Sequence, residues 1–132
     1  MRLIAASSSR VLVIAPYVDA QTPSMRPLTR ALAKARDRGV TTHLLLGSEP
    51  SVAVRAELAT LGIEMRAMDP LRATIGHAKG VVADGTAVVM SANWSATGMG
   101  QSFEAALAIS EPAAVGYFAD AWARDWAAAT PV

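Results

Sequence analysis

Gly76-His77-Ala78-Lys79-Gly80-Val81-Val82-Ala83-Asp84-Gly85-Thr86-Ala87-Val88-Val89-Met90-Ser91-Ala92-Asn93 is the stretch on which the fold turns. Two β-rich runs, His77 to Ala83 and Thr86 to Ser91, flank Asp84-Gly85, the strongest short hairpin signal. The same stretch gathers residues that are rare elsewhere in the chain. The sequence holds two histidines, two lysines and one asparagine, and one of each falls between positions 77 and 93. In this composition, His-x-Lys with Asp five residues after the Lys arises by chance on the order of once in a thousand chains.

Upstream, strand and helix patterns alternate. Arg10 to Ala15 is a continuous apolar run stopped by Pro16, the mark of a strand buried on both faces. A loop from Tyr17 to Ser24 follows, and Ser24 is placed to cap a helix. In that helix Met25, Leu28, Leu32 and Ala35 share one face, with Arg26, Arg30, Lys34 and Arg38 turned to water. Gly39 ends it where a left-handed residue is wanted. Val40 to Leu46 reads as the second strand, Pro50 to Leu61-Gly62 as a helix started by its proline, and Ile63 to Met68 as the third strand. The pattern changes after Asp69-Pro70.

Downstream of the hairpin, Asn93 to Ser102 reads as a polar loop and Phe103 to Ile109 as a strand. A helix opens at Ser110-Glu111-Pro112 and sets Val115, Phe118, Ala119, Trp122 and Trp126 at helical spacing, a core stripe. Strands alternating with helices and then a hairpin predict an α/β fold with a mixed sheet sandwiched between helices. The 132 residues suit a single domain, 1–132, with no internal repeat.

Composition narrows the function classes. With no cysteine, disulfides, thiolate nucleophiles and cysteine metal clusters are excluded. A net charge of +1 gives no field that points to nucleic acid. The charged fraction, 17%, lies below the usual value of about 25% and favours a surface buried against a partner. The run Met1 to Ala6 is too short for a secretory segment, and none approaches the roughly 18 apolar residues of a membrane span. The expectation is a soluble chain, cytoplasmic by default.

Each residue of the stretch has an ordinary structural role open to it. His77 suits a satisfied structural histidine, Lys79 a solvated strand residue, Asp84 the turn itself, and Ser91 and Asn93 a strand end and loop start. Their conjunction favours chemistry. Residues two apart on a strand share a face, so His77 and Lys79 converge, and Ser91 and Asn93 bring neutral donors from the hairpin partner. An imidazole beside an ammonium suits an anionic, oxygen-rich substrate such as a phosphodiester. A neutral imidazole attacks phosphorus and holds a covalent intermediate.

His77-x-Lys79-x4-Asp84-x6-Ser91-x-Asn93 resembles the HKD signature of the phospholipase D superfamily, H-x-K-x4-D-x6-G-S-x-N, and the resemblance extends from about Arg10 to Trp126. It implies the nuclease-like αβα sandwich of that superfamily. It also implies a metal-independent phosphodiesterase or phosphatidyltransferase without cofactor, acting on a phospholipid or nucleic acid. By the same resemblance His77 forms a phosphohistidine, Lys79, Ser91 and Asn93 hold the phosphate, Glu104 orients the imidazole, and Asp84 sits at the periphery in a mostly structural role. Counted from Asp84 the serine comes one residue earlier than in the signature; Met90, immediately before Ser91, departs from the signature's glycine, and Ser102 from an asparagine common two residues before the glutamate.

The mechanism implied by the resemblance needs two histidines, one attacking and one protonating the leaving oxygen. His43, on its own strand without a following lysine, reads as structural. The missing imidazole is therefore expected from the symmetry mate in a homodimer, or from an N-terminal half carrying a second HKD motif, as in two-motif cardiolipin synthase-like enzymes. A degenerate phosphate-binding or dimerisation module without turnover is the reading from a different class.

Overall fold

The computed structural model describes residues 1–19, 23–69 and 76–132. A short helix, α1 (Arg2–Ala6), precedes β1 (Arg10–Ala15), α2 (Arg26–Asp37), β2 (Thr41–Leu46), α3 (Val52–Thr60) and β3 (Glu64–Ala67). Then come β4 (Gly80–Ala83), β5 (Thr86–Met90), α4 (Ala96–Gly100), β6 (Ala106–Ile109), α5 (Pro112–Ala128) and β7 (Thr130–Pro131). Among the described residues the strands form one sheet in the order β6-β5-β4-β1-β2-β3-β7. β1 pairs parallel with β2 and antiparallel with β4, so the sheet is mixed, as expected.

Both faces of the central strands are covered, which explains why β1 is apolar from Val11 to Ala15. Val11, Val13 and Ala15 enter the cluster that holds Leu28 and Leu32 of α2 and Leu58 of α3. Leu12 enters the opposite cluster, with Val115, Ala119 and Trp122 of α5, and Ile14 packs against its edge. Full burial of each such aliphatic side chain stabilises the fold by about 1.5–3 kcal/mol. Trp122 adds a directional tie, donating from Nε1 to the carbonyl of Val13 at 2.9 Å. The amphipathic stripes read from the sequence are thus the sandwich itself.

Element ends differ from expectation in instructive ways. Met25, not Ser24, occupies the N-cap position of α2. Ser51, not Pro50, opens α3: its hydroxyl accepts from the Val54 amide at 3.3 Å, which a proline side chain cannot do. The loop after Asn93 contains the short helix α4, whose cap Ser95 accepts from the Gly98 amide. β7, unforeseen, pairs antiparallel with β3. The expected loop from Tyr17 to Ser24 lies partly outside the described residues, and Pro70 lies wholly outside them. No described helix is long and apolar enough to cross a membrane.

Candidate active site

The expected hairpin forms with Ala83 opposite Thr86, so Asp84 and Gly85 alone make the turn. Asp84 adopts the left-handed backbone, φ 48°, that aspartate tolerates better than most residues. β4 runs antiparallel to β1 with Gly80 opposite Ile14. The residues just before β4 therefore stand on the rim of the sheet where β1 and β2 end.

His77 and Lys79 occupy that rim, but as an extended lead-in rather than in the ladder expected to begin at His77. Gly47, leaving β2, donates its amide to the carbonyl of Ala15 at 2.8 Å and crosses the chain at Gly76. A Cβ on Gly47 would lie 1.8 Å from the Gly76 carbonyl oxygen, and one on Gly76 would lie 2.8 Å from the Gly47 Cα. Only two glycines allow this crossing, and it fixes where His77 begins. Sequence reading passed over Gly47, although a glycine at a strand exit signals close backbone approach.

The two side chains converge without strand geometry. Lys79 Nζ lies 2.7 Å from His77 Nδ1 and 3.1 Å from Nε2, and donates to the His77 carbonyl at 2.8 Å. An ammonium has only donors, so it bonds the ring through whichever nitrogen carries no proton in a given tautomer. Lys79 is itself held by β5, since its carbonyl accepts from the Met90 amide at 3.2 Å. Met90, at the signature's glycine position, has no left-handed backbone and packs against the α2 side of the core. Its side chain fills space beside the sheet.

Ser91 continues the pairing of β5 with the chain before β6. Its amide donates to Ala105 O at 3.0 Å, and its hydroxyl accepts from the Ala105 amide at 3.0 Å. The same hydroxyl donates to a carboxylate oxygen of Glu104 in a short hydrogen bond. Glu104 was expected on the imidazole; its carboxylate instead takes the hydroxyl of Ser91.

Asn93 lies on the loop beyond Ser91. Trp94 bridges to Val18 and accepts from the Asp19 amide at 2.8 Å, and Gly98 of α4 packs on the Asn93 backbone. The Asn93 Oδ1 is buried and has no hydrogen-bond partner among the described residues. A buried amide oxygen so placed has unused capacity for a donor.

Asp84 sits at the other end of β4, roughly 16 Å from Lys79 for five extended residues. Its carboxylate accepts from the amides of Ser8, Ser9 and Arg10 at 2.8, 2.9 and 2.9 Å. The amides of Arg10 and Ser8 hold its pKa below the ordinary 3.8. The structure thus does not bring Asp84 to His77; it clamps the entry of β1. His43 is likewise remote and occupied. Its ring stacks on Trp126 with centroids 4.6 Å apart, and Nε2 lies 3.1 Å from Glu64.

His77, Lys79 and Ser91 all line one cavity of about 610 Å³ between α5 and the sheet. Among the described residues no three His, Cys, Asp or Glu side chains stand together as metal ligands. An imidazole, an ammonium and a hydroxyl backed by a carboxylate can together bind and attack an anionic ester.

The fold is shared with solved structures. The chain is similar in structure to the phospholipase D family member Nuc from Salmonella typhimurium, with a TM-score of 0.84 at 21% identity over 99% of this chain and 86% of that one. NucT from Helicobacter pylori gives 0.81 at 16%, over 99% and 87%. Phosphatidylserine synthase from Haemophilus influenzae gives 0.74 at 12%, over 90% of this chain but 32% of that one. No curated protein matches the sequence. The family model described as cardiolipin synthase, PLD-like domain, matches residues 1–126, and the chain belongs to that family.

Proposed function

We propose that the chain is a metal-independent phosphodiesterase of the phospholipase D type, acting on a phospholipid or nucleic acid through a phosphohistidine at His77. The observation that carries this reading is the convergence of His77, Lys79 and Ser91 on one cavity. A ring nitrogen of His77 attacks phosphorus, and the bond to the leaving oxygen breaks as that oxygen takes a proton from a second imidazole. The same imidazole then deprotonates water, whose oxygen displaces His77 and frees the acid product. Lys79 turns its ammonium from the ring to the phosphate oxygens. Ser91 turns its one hydroxyl proton from Glu104 to the phosphate, Asn93 donates from its side-chain amide nitrogen, and Glu104 acts by orienting Ser91 beforehand.

The second imidazole comes from the symmetry mate in a homodimer. His43 does not serve, because register puts it roughly 10 Å across and 16 Å along the sheet from His77. An apolar patch beside the site supports the dimer: Val89 and Leu107 pair across β5 and β6 at 39% and 63% exposure, and Phe103 is fully exposed. A second reading places the partner half on the same polypeptide. The chain spans 32% of the Haemophilus synthase it resembles, which leaves room on that polypeptide for a partner half. The deciding experiment is hydrolysis of bis(p-nitrophenyl) phosphate in chelator. Wild type turns over and His77→Ala does not; unchanged activity in His77→Ala overturns the proposal.

A further inference from the structure

Charge is sorted between the two helical layers of the sandwich. On α2 and its C-cap, Arg26, Arg30, Lys34, Arg36 and Arg38 stand against Asp37 alone, and all are exposed. Across the sheet, on α5 and its N-cap, Glu111, Asp120 and Asp125 stand against Arg124 alone, again all exposed. The net charge of +1 conceals this separation.

Helix stability does not explain it. Lys34 and Arg36 lie in the last turn of α2, where the helix dipole favours cations, but Arg26 stands in the first turn, which the dipole reserves for acids and which holds none. Arg26, Arg30 and Lys34 follow one another at four-residue spacing, about 6 Å apart along the axis, so like charge neighbours like charge. None of the three has an ion-pair partner among the described residues, whereas Arg36 pairs with Asp37 at 3.0 Å. At the C-terminal end of the row, Arg38 donates to the carbonyls of Ile4 and Ser7 at 3.4 and 3.1 Å and holds α1 there. Arg2 and Leu3 of α1 are both exposed, Leu3 at 39%.

The layers select the form of the partner. A polyanion that wraps the chain meets the carboxylates of α5; a planar anionic surface meets one layer and leaves the other in water. An apolar side chain near the cations suits a bilayer, which accepts hydrocarbon below its charged headgroups, better than a phosphate backbone. We infer that the outer face of α2, with α1 beside it, docks the chain on an anionic lipid bilayer. The candidate site lies on the other side of the sheet, against α5, so this lipid is a partner and not the diester met by His77. The inference goes beyond the phosphodiesterase reading and does not depend on turnover.

The test is co-sedimentation of the full chain with phosphatidylcholine vesicles, with and without phosphatidylglycerol, at low and high salt. Binding should require the anionic lipid and weaken as salt screens it. Arg30→Gln should weaken it about fivefold, since one cation near a charged leaflet is worth about 1 kcal/mol, and Arg26→Gln, Arg30→Gln and Lys34→Gln together about 100-fold. Arg124→Gln removes the same charge from the far layer, beyond the Debye length of about 10 Å, and should change binding less than about twofold. Because all four side chains are exposed, each variant should keep the wild-type urea midpoint, which checks the fold independently of any hydrolysis.

No binding to anionic vesicles, or binding indifferent to phosphatidylglycerol, overturns the docking surface. Equal losses from Arg30→Gln and Arg124→Gln overturn it as well, because net charge and not the α2 face would then be at work. Single-stranded DNA bound more tightly than the anionic vesicles, and released by the triple substitution, gives the face to nucleic acid and overturns the lipid assignment.

Discussion

Gly47 and Gly76 cross backbone to backbone so closely that a methyl group on Gly47 would come within 1.8 Å of the Gly76 carbonyl oxygen. The obstacle is main chain, which cannot rotate away as a side chain does. Gly47→Ala should cost about 1–3 kcal/mol of stability by overpacking, read from urea unfolding. Because the crossing sets the start of His77, kcat of the folded fraction should fall as well, by about tenfold or more. Loss of stability with full kcat would mean that the crossing supports the fold without aiming the imidazole.

A shared site leaves a signature in mixtures. If two His77 residues from two protomers make one site, a mixed dimer of wild type and His77→Ala is inactive. An equimolar, re-equilibrated mixture should then keep about a quarter of the wild-type activity rather than about half. A monomer by light scattering with full activity would remove the homodimer from the mechanism.

Ser91 and Glu104 are coupled in this geometry, since the carboxylate accepts a hydrogen bond from the hydroxyl while the Ala105 amide donates to the same oxygen. Glu104→Gln should lower kcat by about 10–100-fold with little change in stability. Glu104→Gln combined with Ser91→Ala should cost little more than Ser91→Ala alone. Additive losses would show that the carboxylate works on something other than the hydroxyl.

At the far end of the hairpin, Asp84→Asn should cost about 1–2 kcal/mol, as loss of a backbone cap does. The carboxyl titrates below its ordinary 3.8 in the folded chain because the Arg10 and Ser8 amides stabilise its charge. A lowered folded pKa adds stability that is complete above the ordinary value and disappears as pH falls through the folded one. The gap in unfolding free energy between wild type and Asp84→Asn should therefore stay constant down to about pH 5 and narrow as pH falls below about 4. A gap still constant below about pH 4 would show that packing rather than charge holds residues 8–10.

Much of this could be read without coordinates because it depends on local rules. Asp84-Gly85 fixes a two-residue turn, the stripes of α2 and α5 fix which faces are buried, and His77-x-Lys79 suffices to bring ring and ammonium together. What stayed hidden depends on distant segments. The Gly47–Gly76 crossing joins residues on different elements, and no periodicity marks it. The Ser91–Glu104 bond arises because the chain before β6 pairs with the end of β5, a register that sequence alone does not set. The stack of His43, Trp126 and Trp122 is similar: the two tryptophans were legible as core, but the imidazole between α5 and Glu64 was not.

The β4–β5 hairpin is anchored at one end by Asp84 and carries His77 and Lys79 before the other, with β4 between them. This separation has an evolutionary corollary. Side chains that line the candidate site can vary while the clamp on residues 8–10 still holds β1, whereas Gly47 and Gly76, whose backbones touch at the same rim, are fixed in kind.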